Sequence, residues 1–161
     1  MKYAKSTTVI AAILCTAAMS QAYAQSAAPT PHLMVAPNDL KWTAMPSLPC
    51  GAQLATIEGP MNEAKPFTVR VKFPANCKIP PHYHPAVEHV TVISGAFGMG
   101  TGDTHDTSKG MSLPVGGISV MQPNVHHFGW TTQETIVQVH GVGPWGITYI
   151  NPADDPSKKT N

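Results

Sequence analysis

The sequence predicts an all-β fold, a barrel or sandwich of short strands, on three observations. Short alternating or β-branched runs recur at close intervals, and Gly, Pro, Asn and Asp punctuate them. No segment beyond the N-terminus sustains a 3.6-residue apolar period. The 16 prolines in 161 residues agree, because an interior proline deletes a helix hydrogen bond and clashes with the preceding turn.

The chain opens on a segment outside that domain. Lys2 and Lys5 give a basic start, residues 9–19 form a short apolar run, and Ala22-Tyr23-Ala24 offers a small-x-small cleavage pattern before Gln25. Residues 1–24 are therefore expected to be a secretory signal that is removed. The apolar run is well short of the roughly 20 residues that span a bilayer. Cys15 does not make a lipoprotein site, since Leu14 stands where a small residue is needed. The expected location is periplasmic or secreted, with no membrane association after cleavage.

Residues 25–48 are rich in Ala, Pro, Ser and Thr and are expected to be a flexible segment that becomes ordered near Leu40-Lys41-Trp42. The barrel is expected over 49–150, with strands at 53–57, 67–73, 89–93, 117–121, 135–139 and 145–150. The glycine-rich run 95–102 lacks the Lys-Ser/Thr ending of a phosphate loop, so it is assigned to a strand and turn. The polar tail 151–161 is expected to fray.

Charge and cysteine content narrow the function. Removing 24 of 161 residues takes away two of ten basic side chains, leaving eight against nine acidic ones, a net charge of −1. The charges are sparse and unclustered, which excludes the basic footprint of a nucleic-acid binder. Cys50 and Cys77 remain, in a compartment that permits oxidation. Their spacing leaves a disulfide and two separate buried thiols equally open.

The chemistry lies in Pro80-Pro81-His82-Tyr83-His84-Pro85-Ala86-Val87-Glu88 and the run that follows to Gly95. Alternate side chains of an extended chain share a face. His82, His84 and Glu88 are all even-numbered, so two imidazoles and a carboxylate can converge. That donor set suits one divalent transition metal per chain, such as Mn, Fe, Cu, Ni or Zn. A solvated histidine-rich strand is the bland alternative. About forty residues on, Gln122-Pro123-Asn124-Val125-His126-His127-Phe128 delivers a histidine pair after a turn. One of the pair is a natural fourth ligand, and their side chains should point to opposite faces.

The first stretch, H-x-H-x3-E-x6-G, resembles the first motif of the cupin family without a departure. The second cluster is similar to the second cupin motif, P-x-G-x2-H, with Gln122 in place of proline and Asn124 in place of glycine. Asn tolerates the left-handed conformation that glycine supplies. The resemblance covers roughly residues 75–130. It implies a cupin-type jelly-roll β-barrel, commonly a homodimer, with the metal on His82, His84, Glu88 and His127. It does not select among dioxygenases, decarboxylases, isomerases and binding proteins, because a fold hosts many functions.

An ion with those four ligands keeps one or two positions open for a small-molecule substrate or ligand, the mark of a catalytic site. Glu88 is expected either to stay bound or to act as a base in the same pocket. Gln138 and His140 share parity on a late strand and are candidates for the substrate pocket, as is His126. The expected function is a metal-dependent oxidoreductase, an oxygenase or oxidase of a small organic molecule. A metal- or ligand-binding module and a non-redox enzyme (isomerase or decarboxylase) are the alternatives.

Overall fold

The computed structural model describes residues 31–159. The expected signal 1–24 and the first part of the flexible segment lie outside the described residues. Among these residues the chain forms eleven strands and, for helix, only four single 3-10 turns. The strands are β1 (Thr43–Ala44), β2 (Gln53–Glu58), β3 (Pro66–Phe73), β4 (Lys78–Tyr83), β5 (Glu88–Ser94) and β6 (Ala96–Thr101). They continue with β7 (Gly110–Pro114), β8 (Ile118–Met121), β9 (His127–Thr131), β10 (Thr135–Val142) and β11 (Thr148–Tyr149). No helix among the described residues is long and apolar enough to cross a membrane.

Two antiparallel sheets build the jelly-roll barrel. One has the order β1-β2-β3-β10-β5-β8 and the other β11-β4-β9-β6-β7. In the larger sheet β10 is central, paired from Thr135 opposite Phe73 to Val142 opposite Pro66 on one side, and with Val139 opposite Val90 on the other. Alternation fills the interior: Phe67, Val69, Val71 and Phe73 of β3, Val90 and Val92 of β5, and Val137 and Val139 of β10 are all buried. They meet Ile79, Phe97 and Met99 of the smaller sheet in one apolar cluster. Phe73 and Phe97 stack across it with ring centroids 5.6 Å apart.

The strands expected at 53–57, 67–73, 89–93, 117–121 and 135–139 form within a residue or a few of those limits. The run expected at 145–150 is mostly loop, with only Thr148–Tyr149 in a strand. It follows a cis Gly143–Pro144 bond, and its side chains fold over the barrel instead of extending a ladder. The glycine-rich run is β6, and its composition has a packing cause. A Cβ at Gly98 would overlap the Trp130 ring, and one at Gly100 would overlap Phe128.

Cys50 and Cys77 are joined in a disulfide, with Cα atoms 5.7 Å apart. The bridge ties the loop before β2 to the turn before β4. A second tie is Tyr149, whose hydroxyl donates to the Ser47 carbonyl at 2.8 Å. Tyr149→Phe removes that bond and leaves the carbonyl unpaired, at a cost of about 1 kcal/mol. Urea denaturation should show a lower midpoint with an unchanged slope; an unchanged midpoint would mean that solvent satisfies Ser47. The tail winds into two turns, capped by Asn151 on Ala153 N–H and by Asp155 on Ser157 N–H.

Candidate metal centre

The two motifs meet inside the barrel. β4 delivers His82, the turn after it carries His84, β5 starts at Glu88, and β9 starts at His127. All four residues are buried, between 1% and 6% exposed, which removes the solvated-strand alternative. His82 lies directly opposite His127 in the β4–β9 pairing. That register slips between Ile79 and His82, where Pro80 and Pro81 have no amide hydrogens to give to a ladder. The bulge reverses parity: Ile79 points inward ahead of it and His82 points inward after it.

The turn into β9 is built as the resemblance requires. Asn124 takes φ +61° in place of glycine, and its amide donates to the His84 carbonyl at 2.9 Å. The second motif is thereby pinned to the first.

The three imidazoles are fixed by their outer nitrogens. His82 Nδ1 bonds the Pro80 carbonyl at 2.7 Å, His84 Nδ1 the Gly146 carbonyl at 2.7 Å, and His127 Nδ1 the Val125 carbonyl at 2.8 Å. A carbonyl only accepts, so each Nδ1 must carry the proton. In a neutral ring the lone pair is then on Nε2. The three rings offer ligand atoms that all lie within 4.8 Å of one another. Burial holds each imidazole neutral: His84 is pushed down to about 3. His82 is held well below its ordinary value by burial, then by the neighbouring His127 and His84. Burial lowers His127 in the same way.

Glu88 completes the group, with its oxygens 3.3 Å from His84 Nε2 and 3.7 Å from His127 Nε2. Burial pushes its carboxyl up to about 8. The Trp145 indole N–H opposes this shift without reaching hydrogen-bond geometry. The residues fit a metal on their own chemistry. His127 Nε2 is buried with no hydrogen-bond partner, and the carboxyl sits among neutral rings with no cationic side chain. A divalent cation held by His82, His84, His127 and Glu88 would supply what both lack.

Three other candidates do not reach this cavity. Gln138 and His140 sit on the outer face of β10, because Val137 and Val139 take the inward positions. His140 instead stacks on His89, its partner across the β5–β10 ladder, with centroids 4.7 Å apart. His126 points away from His127, bonds Asp103 through Nδ1 at 2.5 Å and stacks on Tyr83. None of the three lines the inner cavity beside the histidine cluster. Conversely, Trp145 was not singled out by sequence, yet it stacks on His84 with centroids 4.6 Å apart and lines the cavity. The free space beside the cluster is about 40 Å³, room for a few water-sized molecules at roughly 10–15 Å³ each.

No family model matches the chain, and no curated protein matches it. Solved structures do. An RmlC-like cupin from Shewanella frigidimarina aligns over 69% of this chain and 89% of its own, at 14% identity and TM-score 0.55. The polyketide cyclase RemF from Streptomyces resistomycificus aligns over 80% and 92%, at 16% identity and TM-score 0.62. A putative acetylacetone dioxygenase from Methylibium petroleiphilum aligns over 81% and 88%, at 15% identity and TM-score 0.60.

Proposed function

We propose that this chain, which has the cupin fold, is an exported mononuclear metal protein and a metal-dependent oxidoreductase of a small organic molecule, using O2. The observation that carries the metal is the set of three neutral imidazoles, each Nδ1 locked on a carbonyl, whose ligand atoms lie within 4.8 Å of one another. Outer hydrogen bonds of this kind fix tautomer and ring direction at metal sites. The ion would supply Lewis acidity or a change of oxidation state. The chain's own residues do the rest. The histidines give neutral donors, and Glu88 offsets part of the ion's charge and can hold a proton at its carboxyl oxygen. The cavity wall of Phe97, Phe128, Val139 and Trp145 keeps bulk water out.

The support for oxygen chemistry is a putative acetylacetone dioxygenase among the fold neighbours, in keeping with the export proposed for this chain. Export is supported by the disulfide, a bond that persists outside the cytosol. Half-exposed Ile93, Val120 and Val142 on the outer face of the larger sheet support a homodimer. Metal-loaded mature protein should consume O2 with at least one of a panel of phenols, organic acids and diketones. An unchanged rate across the panel would overturn the oxidoreductase reading. A non-redox enzyme at the same site is the second reading, favoured by the cyclase among the neighbours. It predicts turnover with zinc in place of a redox-active ion.

A further inference from the structure

The space beside the histidine cluster is too small for an organic substrate, at about 40 Å³. A second space is not. Between β7 and β8, edge strands of the two sheets, a groove of about 450 Å³ opens, within the range of small-molecule sites. One residue, Met99, is common to both linings. It points inward from β6 and is 8% exposed. Across the sheet it faces Gly129 on one side and Met111 on the other. Gly129 lines the inner cavity two residues from His127, and Met111 lines the groove. Met99 therefore stands at the boundary between them.

Met111, Met121, Leu113 and Ile118 give the groove apolar walls, and Lys109, Thr101 and Ser119 add a cation and two hydroxyls at its margin. Methionine is unbranched, with three rotatable side-chain bonds, and adapts to the shape of what it contacts. At the inner end the polar atoms are the histidines and Glu88.

We propose that this groove binds the organic substrate, a small and mainly apolar molecule with one oxygen-bearing end, and that Met99 is the movable wall through which that end reaches the metal centre. The apolar walls take the carbon skeleton, and the oxygen-bearing end turns toward the only polar group of the inner cavity. The inference rests on the metal-site reading above, so its test includes a readout that needs no metal.

The test uses full-length mature protein carrying 13C-methyl methionine, with 4-ethylphenol as probe, in metal-free and metal-loaded forms. The methyl signals of Met99, Met111 and Met121 should shift on titration, while those of Met34, Met45 and Met61 stay still. Ser119→Phe, which fills the groove, should abolish the shifts at unchanged metal content. Shifts confined to the other methionines, or none at millimolar probe, would overturn the groove as the binding site. Groove shifts in a protein that takes up no metal would leave the groove standing and remove the metal reading. For the gate, Met99→Ala should speed extraction of the ion by a chelator at least tenfold, and the stiffer Met99→Leu should slow it. Equal rates in all three proteins would overturn the gate.

Discussion

Protein carrying His82→Ala and His84→Ala together is expected to fall from about one equivalent of transition metal to less than about a tenth of one, while keeping its fold. The first half follows from the donor set. The pair supplies two of the three imidazoles whose ligand atoms lie within 4.8 Å of one another, and Glu88 with His127 alone leaves an ion mostly to water. Structural metal sites bind with an apparent 10–16 kcal/mol in total, so halving the ligands costs several orders of magnitude in affinity. The second half follows from where stability resides. The apolar cluster that joins the sheets includes neither histidine, and truncating them removes buried polar groups that are costly without an ion. The measurement is metal content after export and purification, beside circular dichroism and a melting curve. A full equivalent retained in the variant would show that the ion is held elsewhere. Loss of fold in the metal-free variant, with wild-type apoprotein still folded, would show that the imidazoles are packing elements first.

Cys50→Ala/Cys77→Ala is expected to lower the melting temperature by about 10–15 °C. The bridge closes a loop of 27 residues, and the chain-entropy relation puts such a loop at about 3–4 kcal/mol. Alanine is chosen because Cys77 is 2% exposed, where a serine hydroxyl would add its own cost. The loop encloses β2 and β3, so the unbridged chain gains freedom in two strands of the larger sheet. Reduction of the wild-type protein should reproduce the shift. A change below about 2 °C in both experiments would mean that the reduced chain keeps the loop closed by other contacts. Metal content at low temperature should not change, since the bridge precedes the first ligand by five residues and the imidazole clamps do not involve it.

Much of this centre was legible in the sequence, but not always for the reason that parity suggests. His82 and His84 do face inward with Glu88, yet their inward direction depends on the bulge at Pro80-Pro81, ahead of the motif. Without it, the parity set by Ile79 would turn both outward. In β10 the sequence held the answer in its apolar residues. Val137 and Val139 claim the interior, which leaves Gln138 and His140 between them on the outside. Trp145 was not legible at all. Its place over His84 is set by a loop whose Trp145 amide donates to the Met61 carbonyl at 2.6 Å, a contact across more than eighty residues that no local pattern encodes. The disulfide was undecided for the same reason, because Cα separation is a tertiary quantity.

The clamp on His84 has a consequence for anyone who would move this centre. Its acceptor is the Gly146 carbonyl, 62 residues downstream, in the segment that also lays Trp145 against the same ring. Both sequence motifs end before that segment begins. A graft of residues 75–130 onto another barrel would transplant every proposed ligand and leave one imidazole free to rotate and change tautomer. A transplantable unit has to run on through Ile147, and the motif pair alone understates the length of chain that defines this centre.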